Sequence, residues 1–141
     1  MTDAVEIVRR YDAAFDAQDT EARFANQTPD IEVVLPGGMT LRGPAQVAEV
    51  VQAFWDALPD GKLTRENDIA EGDVVVTEGT LTGTHRGTFR TPQGEIPASG
   101  NRVTLRYASV RWVRDGKVAS EHLYFDQLEF LQQLGVTAEE Q

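Results

Sequence analysis

Tyr107-Ala108-Ser109-Val110-Arg111-Trp112-Val113-Arg114, then Asp115-Gly116, then Lys117-Val118-Ala119-Ser120-Glu121-His122-Leu123-Tyr124-Phe125, is the stretch on which the reading of this chain turns. Two runs rich in β-branched and aromatic residues flank an Asp-Gly pair, a strong signal for a two-residue hairpin turn. Such a turn sets Arg114 opposite Lys117 and thereby fixes the register. A ladder without irregularities pairs Val113 with Val118, Arg111 with Ser120, Ser109 with His122, Tyr107 with Tyr124 and Leu105 with Asp126. Alternation places all of these on one face of the sheet. The other face then carries Ala108, Val110, Trp112, Leu123 and Phe125, with Arg106 and Glu121 among them.

Both faces of this hairpin are substantially apolar. An antiparallel sheet covered by helices on one side normally presents a polar second face to water. A contiguous apolar patch marks an interface instead. The face with Val110, Trp112, Leu123 and Phe125 is therefore expected to join two copies as a homodimer; the alternative is cover by a loop or the C-terminal helix. The mixed face has the composition of a pocket, mostly apolar with a few convergent polar groups. It places Tyr107 and Tyr124 beside Ser109, His122 and Asp126.

Upstream, the pattern becomes helical. Asp3 and Glu6 form an Asp-x-x-Glu start, followed by Val5, Val8, Tyr11 (or Asp12) and Phe15 at helical spacing to about Gln18. A shorter helix begins at Asp19 or Thr20, carries Phe24 and breaks at Thr28-Pro29-Asp30. Ile31–Leu35 reads as a strand, Pro36-Gly37-Gly38 as a turn and Met39–Arg42 as a second extended segment. Pro44 opens an amphipathic helix with Val47, Val50, Val51, Phe54, Trp55 and Leu58, ended by Pro59-Asp60-Gly61. Lys62–Ala70 and Val74–Arg90 read as strands around Glu71-Gly72-Asp73, the second bent at its glycines. Thr91–Gly100 reads as a loop and Asn101–Arg114 as a strand. Helices followed by antiparallel strands predict an α+β fold, with helices packed on one face of a curved sheet.

With 141 residues, the chain is expected to be one domain over 1–141. It has 13 basic and 23 acidic residues, a net charge of −10. That field argues against nucleic acid and anionic membrane surfaces as partners. There are no cysteines, which removes disulfides and thiolate metal sites. No signal peptide or membrane span is visible, so a cytoplasmic location is expected. The two histidines, His85 and His122, lie in no metal-binding spacing, and no nucleotide loop or Gly-x-Ser-x-Gly elbow occurs. No metal or other cofactor is expected.

His122 suits general acid/base work near neutral pH, or is a half-buried histidine bonded to a neighbour. Tyr124 is a candidate donor to an enolate oxygen, or a core aromatic. Asp126 extends the constellation, but Asp126-Gln127-Leu128-Glu129 is also a capping box for a last helix that Gly135 ends. Capping is the favoured reading of Asp126. His85 sits at the bent strand, facing inward or outward. The cavity is expected to draw on Tyr11, Phe15, Phe54, Trp55, Phe89 and Tyr107, with Ser109 and His85 as further substrate-binding candidates.

Several segments together resemble a known family: Phe54-Trp55-Asp56-Ala57-Leu58-Pro59-Asp60, Ala70-Glu71-Gly72-Asp73-Val74-Val75, Leu81-Thr82-Gly83-Thr84-His85-Arg86-Gly87-Thr88-Phe89, Pro97-Ala98-Ser99-Gly100-Asn101-Arg102-Val103, Asp115-Gly116-Lys117-Val118, Glu121-His122 and Leu131-Gln132-Gln133-Leu134-Gly135. In their order the chain is similar to the SnoaL-like polyketide cyclases of the nuclear transport factor 2-like superfamily. The resemblance implies a cone-shaped α+β fold, also described as a cystatin-like α+β barrel. It further implies cofactor-free intramolecular aldol closure of an aromatic polyketide ester. An aspartate two residues after the histidine serves as acid/base in that family; here the position is Tyr124, a poor base at neutral pH. The expectation is therefore a cyclase or isomerase for a small hydrophobic carbonyl compound, with His122 (or Asp126) as acid/base and Tyr124 as donor. The rival readings are a non-catalytic ligand-binding member and an epoxide-opening hydrolase. The hydrolase needs two carboxylates bridged by an arginine.

Overall fold

Asp3 starts the first helix as its pattern predicts, its Oδ1 accepting the Glu6 amide at 2.8 Å. The computed structural model describes residues 3–136. Helix α1 spans Ala4–Asp16 and α2 spans Thr20–Ala25, the latter capped by Asp19. Strands β1 (Gln27–Val34) and β2 (Thr40–Arg42) precede α3 (Gly43–Ala57), which has proline in its first turn. Then follow β3 (Lys62–Glu71), β4 (Val74–Thr84), β5 (Phe89–Thr91), β6 (Gly94–Ile96), β7 (Arg102–Arg114) and β8 (Lys117–Phe125). Helix α4 (Gln127–Gln133) closes the described chain.

The architecture is the expected α+β one. Six strands form a sheet in the order β2-β1-β8-β7-β4-β3, antiparallel except for the β1–β8 pair. Helix α1 lies over the inner face, touching β3, β4, β7 and β8. One core cluster, with Ile7, Val8, Tyr11, Ile31, Val75 and Val118, fills the space beneath α1. A second, with Leu58, Leu81, Phe89, Leu105, Phe130 and Leu134, fills the far end. Among the described residues no helix is long and apolar enough to cross a membrane.

Two segments depart from the expected boundaries. Strand β1 begins at Gln27 and runs through Pro29. Its pairing with β8 skips from Gln27 to Glu32, so the proline occupies an irregular stretch where its missing N–H leaves no gap in the ladder. The long strand expected over Val74–Arg90 ends at Thr84. The expected loop over Thr91–Gly100 contains the strand β6 and part of the small β5–β6 hairpin. Past the break the chain runs against the end of α3: the Arg86 and Gly87 amides donate to the Ala57 carbonyl, and the Asp56 carbonyl leaves no room for a side chain at Gly87.

The larger correction concerns the last hairpin. Asp115 and Gly116 adopt positive φ of 55° and 73°, as a two-residue turn requires, and Arg114 does pair with Lys117. One step further on, Val113 pairs with Val118 but Trp112 pairs with Ser120, leaving Ala119 as an extra residue. This β-bulge moves every later side chain of β8 to the opposite face. Arg111 consequently pairs with Glu121, Val110 with His122, Ser109 with Leu123, Ala108 with Tyr124 and Tyr107 with Phe125. Glu121, Leu123 and Phe125 thus join the inner face. His122 and Tyr124 join Val110 and Trp112 on the outer one.

Candidate active site

The inner face of β7 and β8, with α1, α2 and α3 above it, encloses a cavity of about 110 Å³. Its wall is mainly aliphatic and aromatic, including Phe15, Val33, Val51, Phe54, Leu81 and Phe125. The polar groups on it are Tyr11, Asp12, Arg23, Tyr107, Ser109, Arg111 and Glu121.

Asp12 and Arg111 form the centre of this polar end. Arg111 Nη1 and Nη2 donate to the two Asp12 carboxylate oxygens at 2.7 and 2.9 Å. Arg65 Nη2 donates to Asp12 Oδ2 at 2.7 Å, and its Nε donates to Asp68 at 3.0 Å. Thr77 completes the set: its hydroxyl accepts from Arg111 Nη2 at 3.0 Å and donates to Asp68 at 2.8 Å. Removing one member of a buried pair typically costs about 3–5 kcal/mol, because an uncompensated charge stays behind. Burial disfavours the Arg111 cation, but the Asp12 carboxylate outweighs it with help from Glu121, so the guanidinium holds its proton more tightly than usual.

Glu121 is different. Its Oε2 lies 3.9 Å from Arg111 Nη1, and its carboxylate has no hydrogen-bond partner among the described residues. Its side chain is 13% exposed, and it lines the cavity. Burial raises its pKa above the ordinary carboxylate value; Arg111 pulls the other way and Asp12 adds to the rise. A carboxyl group whose proton is held more tightly in this way is a candidate for acid/base work.

Two phenols share the site. Tyr11 Oη accepts from Arg23 Nη2 at 2.7 Å and from Gln27 Nε2 at 2.8 Å. Tyr107 Oη is buried and has no hydrogen-bond partner among the described residues. It reaches over Gly79, where a Cβ would sit 2.6 Å from that oxygen. Burial pushes both phenols up to about 12, so both remain protonated donors at neutral pH.

Of the residues expected in the pocket, Tyr11, Phe15, Phe54, Tyr107 and Ser109 line the cavity. Trp55 and Phe89 do not. Trp55 is buried beside Phe15, donating from Nε1 to its carbonyl at 3.1 Å. Phe89 packs against Phe54 and Phe130. His85 is fully buried outside the cavity wall, its Nδ1 2.8 Å from Ser99 Oγ, and burial lowers its pKa. The expected constellation is not assembled. His122 packs edge-on against Trp112 at 4.7 Å, Tyr124 is 57% exposed, and Asp126 caps α4 by accepting the Glu129 amide at 3.0 Å. Asp12, Arg23, Arg111 and Glu121 take their place. One sequence signal pointed toward Glu121: opposite charges favour facing one another across strands, and a register pairing Arg111 with Glu121 satisfies this where Arg111–Ser120 does not.

The raised pKa of Glu121 has a consequence for stability. The fold penalises its ionised form, so the penalty is absent below the unfolded-chain value of about 4.5. It grows as pH rises from that value through the higher folded one. Glu121→Gln should therefore melt at a higher temperature than the parent at neutral pH, with the gain disappearing as pH falls below the ordinary carboxylate range. Melting curves across pH check this; a gain independent of pH contradicts it.

Residues 5–134 match the family described as SnoaL-like polyketide cyclase. A solved Jannaschia sp. CCS1 protein described as a SnoaL-like polyketide cyclase is 24% identical, with TM-score 0.85 over 95% of this chain and 92% of that one. A Xanthomonas campestris pv. campestris protein described as a polyketide cyclase is 26% identical, with TM-score 0.81 over 93% and 96%. TerC, co-crystallised with polyporic acid, is 26% identical, with TM-score 0.75 over 94% and 98%. No curated protein matches the sequence. A family match across nearly all of the described chain, on a fold that superposes this well, places the protein: it belongs to the SnoaL-like polyketide cyclase family.

Proposed function

We propose that this protein is a cofactor-independent acid/base catalyst that cyclises or isomerises a small hydrophobic carbonyl compound, with Glu121 moving the proton. The observation that carries this reading is the Glu121 carboxyl group, unbonded in an apolar cavity and 3.9 Å from Arg111 Nη1. In an aldol closure, Glu121 removes the proton α to one carbonyl. The resulting carbon attacks a second carbonyl of the same molecule, and the alkoxide so formed takes the proton back from Glu121. No atom is gained or lost, so the reaction itself calls for no cofactor. Tyr107 Oη, a donor without a partner, is the group we assign to the enolate oxygen. Apolar walls keep water from the intermediate. TerC, a structural neighbour, has been co-crystallised with polyporic acid, which agrees with a small organic ligand for this protein.

One observation favours an epoxide-opening hydrolase as the second reading: Arg111 lies between two carboxylates, Asp12 at 2.7 Å and Glu121 at 3.9 Å. Asp12, however, is committed on both oxygens to Arg111 and Arg65. That leaves one carboxyl group free for chemistry where epoxide opening uses two.

The outer face supports a further assignment, association with a second copy. Ile69, Val76, Val110 and His122 form a row across four strands, flanked by Val74, Trp112 and Tyr124. Ile69 is 65% and Tyr124 57% exposed. The proposed dimer face thus keeps Val110 and Trp112 from the sequence reading but loses Leu123 and Phe125 to the cavity.

Glu121→Gln should reduce kcat by about 10²–10⁴, the usual contribution of an acid/base group, with ligand affinity within a few-fold. His122→Ala should leave both nearly unchanged. Steady-state kinetics on carbonyl compounds selected by ligand screening provide the test. Full activity in Glu121→Gln, or binding without turnover by the parent protein, removes the catalytic reading; solvent oxygen in the product of a terpene epoxide supports the hydrolase. Trp112→Glu should sediment as a monomer where the parent sediments as a dimer. An unaltered sedimentation profile excludes the outer face as the interface.

A further inference from the structure

Arg23 stands apart from the other interior cations. It is 7% exposed and lines the cavity. Arg65 and Arg111 share Asp12, whereas Arg23 forms no ion pair among the described residues. What holds it is one hydrogen bond from Nη2 to Tyr11 Oη at 2.7 Å, with its guanidinium carbon 4.0 Å from the Tyr11 ring centroid. A guanidinium carries five N–H donors, so most of these are left without an acceptor. Buried charges are ordinarily paired, because removing an ion from water is expensive. Neither carboxylate on the cavity wall supplies the missing partner. Asp12 is engaged by two other arginines, and Glu121 forms no ion pair with Arg23.

The facing wall repeats the pattern. Tyr107 Oη, Ser109 Oγ and Arg111 Nε are buried and have no hydrogen-bond partner. They alternate along β7 and so lie on the face of the strand whose side chains line this cavity, the three atoms themselves being buried behind its surface. The cavity therefore has on one side a positive charge without a salt bridge among the described residues, and on the other unpartnered donors just behind its wall. This is the complement of a ligand with an anionic oxygen at one end and a neutral oxygen at the other.

We infer that the cavity is built for an acid: a hydrophobic molecule whose ionised carboxylate pairs with Arg23 while its carbonyl oxygen faces the β7 donors. Arg23 then selects the free acid over its ester or amide. The inference rests on the proposed use of the cavity by a small hydrophobic ligand but does not require turnover.

The test is an amide-shift NMR titration of the full chain at neutral pH with phenylacetate and its isostere phenylacetamide. Phenylacetate should bind at least about tenfold more tightly, the scale of one charge-assisted hydrogen bond. Arg23→Met should abolish that preference with phenylacetamide affinity within a few-fold. Arg23→Lys, which keeps the charge, should retain part of the preference and guards against a folding defect in the methionine variant. Equal affinities for the two probes, binding of neither, or a preference that survives Arg23→Met each overturn the inference. A preference for phenylacetate in a protein that turns nothing over leaves Arg23's role standing and removes only the catalytic reading.

Discussion

The paired hydrogen bonds from Arg111 to Asp12, at 2.7 and 2.9 Å, tie the middle of β7 to α1 across the interior. The geometry of the cavity follows from that junction. Asp12 lies on α1 next to Tyr11, so anchoring it sets the height of the helix above the sheet and the position of the Tyr11 phenol. Arg65, Thr77 and Asp68 extend the same network to β3 and β4. The guanidinium is thereby held in one orientation, with Glu121 on the adjacent strand 3.9 Å away. Replacing such an assembly with packed hydrocarbon is often neutral for stability. Its use here is to fix the position of charges around an otherwise apolar space.

Ala119 decides which charges those are. Without this one unpaired residue, Glu121 would face outward beside Trp112, and His122 would enter the cavity opposite Ser109. The turn, most of the long strands, the helix caps at Asp3 and Asp126, and the amphipathic face of α3 were legible in the sequence because each depends on local chemistry. The bulge was not, since alanine carries no turn signature and both faces of the hairpin are apolar enough to accept either register. Asp12 was visible only as a carboxylate adjoining the helical stripe of Tyr11 and Phe15. Its partner Arg111 lies 99 positions away, a distance over which periodicity says nothing. Five of the aromatic and hydroxyl residues named in advance nevertheless line the cavity, because the inward faces of α1, α3 and β7 do not depend on how β8 pairs.

The protein as a whole is acidic, with a net charge of −10, yet its cavity wall carries two arginines beside one committed and one uncommitted carboxylate. Glu121 is the unstable element in this arrangement. It lacks the hydrogen bonds that stabilise a buried carboxylate, and a fold that retains such a group does so at some cost in stability, as proton-transferring groups commonly require. Tyr124, which stands where the family resemblance implies an aspartate, is therefore compatible with acid/base chemistry elsewhere, on the cavity wall. Through the bulge, the neighbouring strand position 121 presents a carboxyl group to the cavity while Tyr124 turns outward.

The chemistry of the cavity rests on Glu121 facing inward and holding its proton more tightly than an ordinary glutamate. A carbon-detected NMR titration of protein labelled at the glutamate side-chain carboxyl carbons reports this directly, with the Glu121 resonance assigned by its absence in Glu121→Gln. One glutamate should titrate at clearly higher pH than the rest, and that resonance should be Glu121. A Glu121 resonance that titrates with the exposed glutamates would contradict it, returning the side chain to the solvent face.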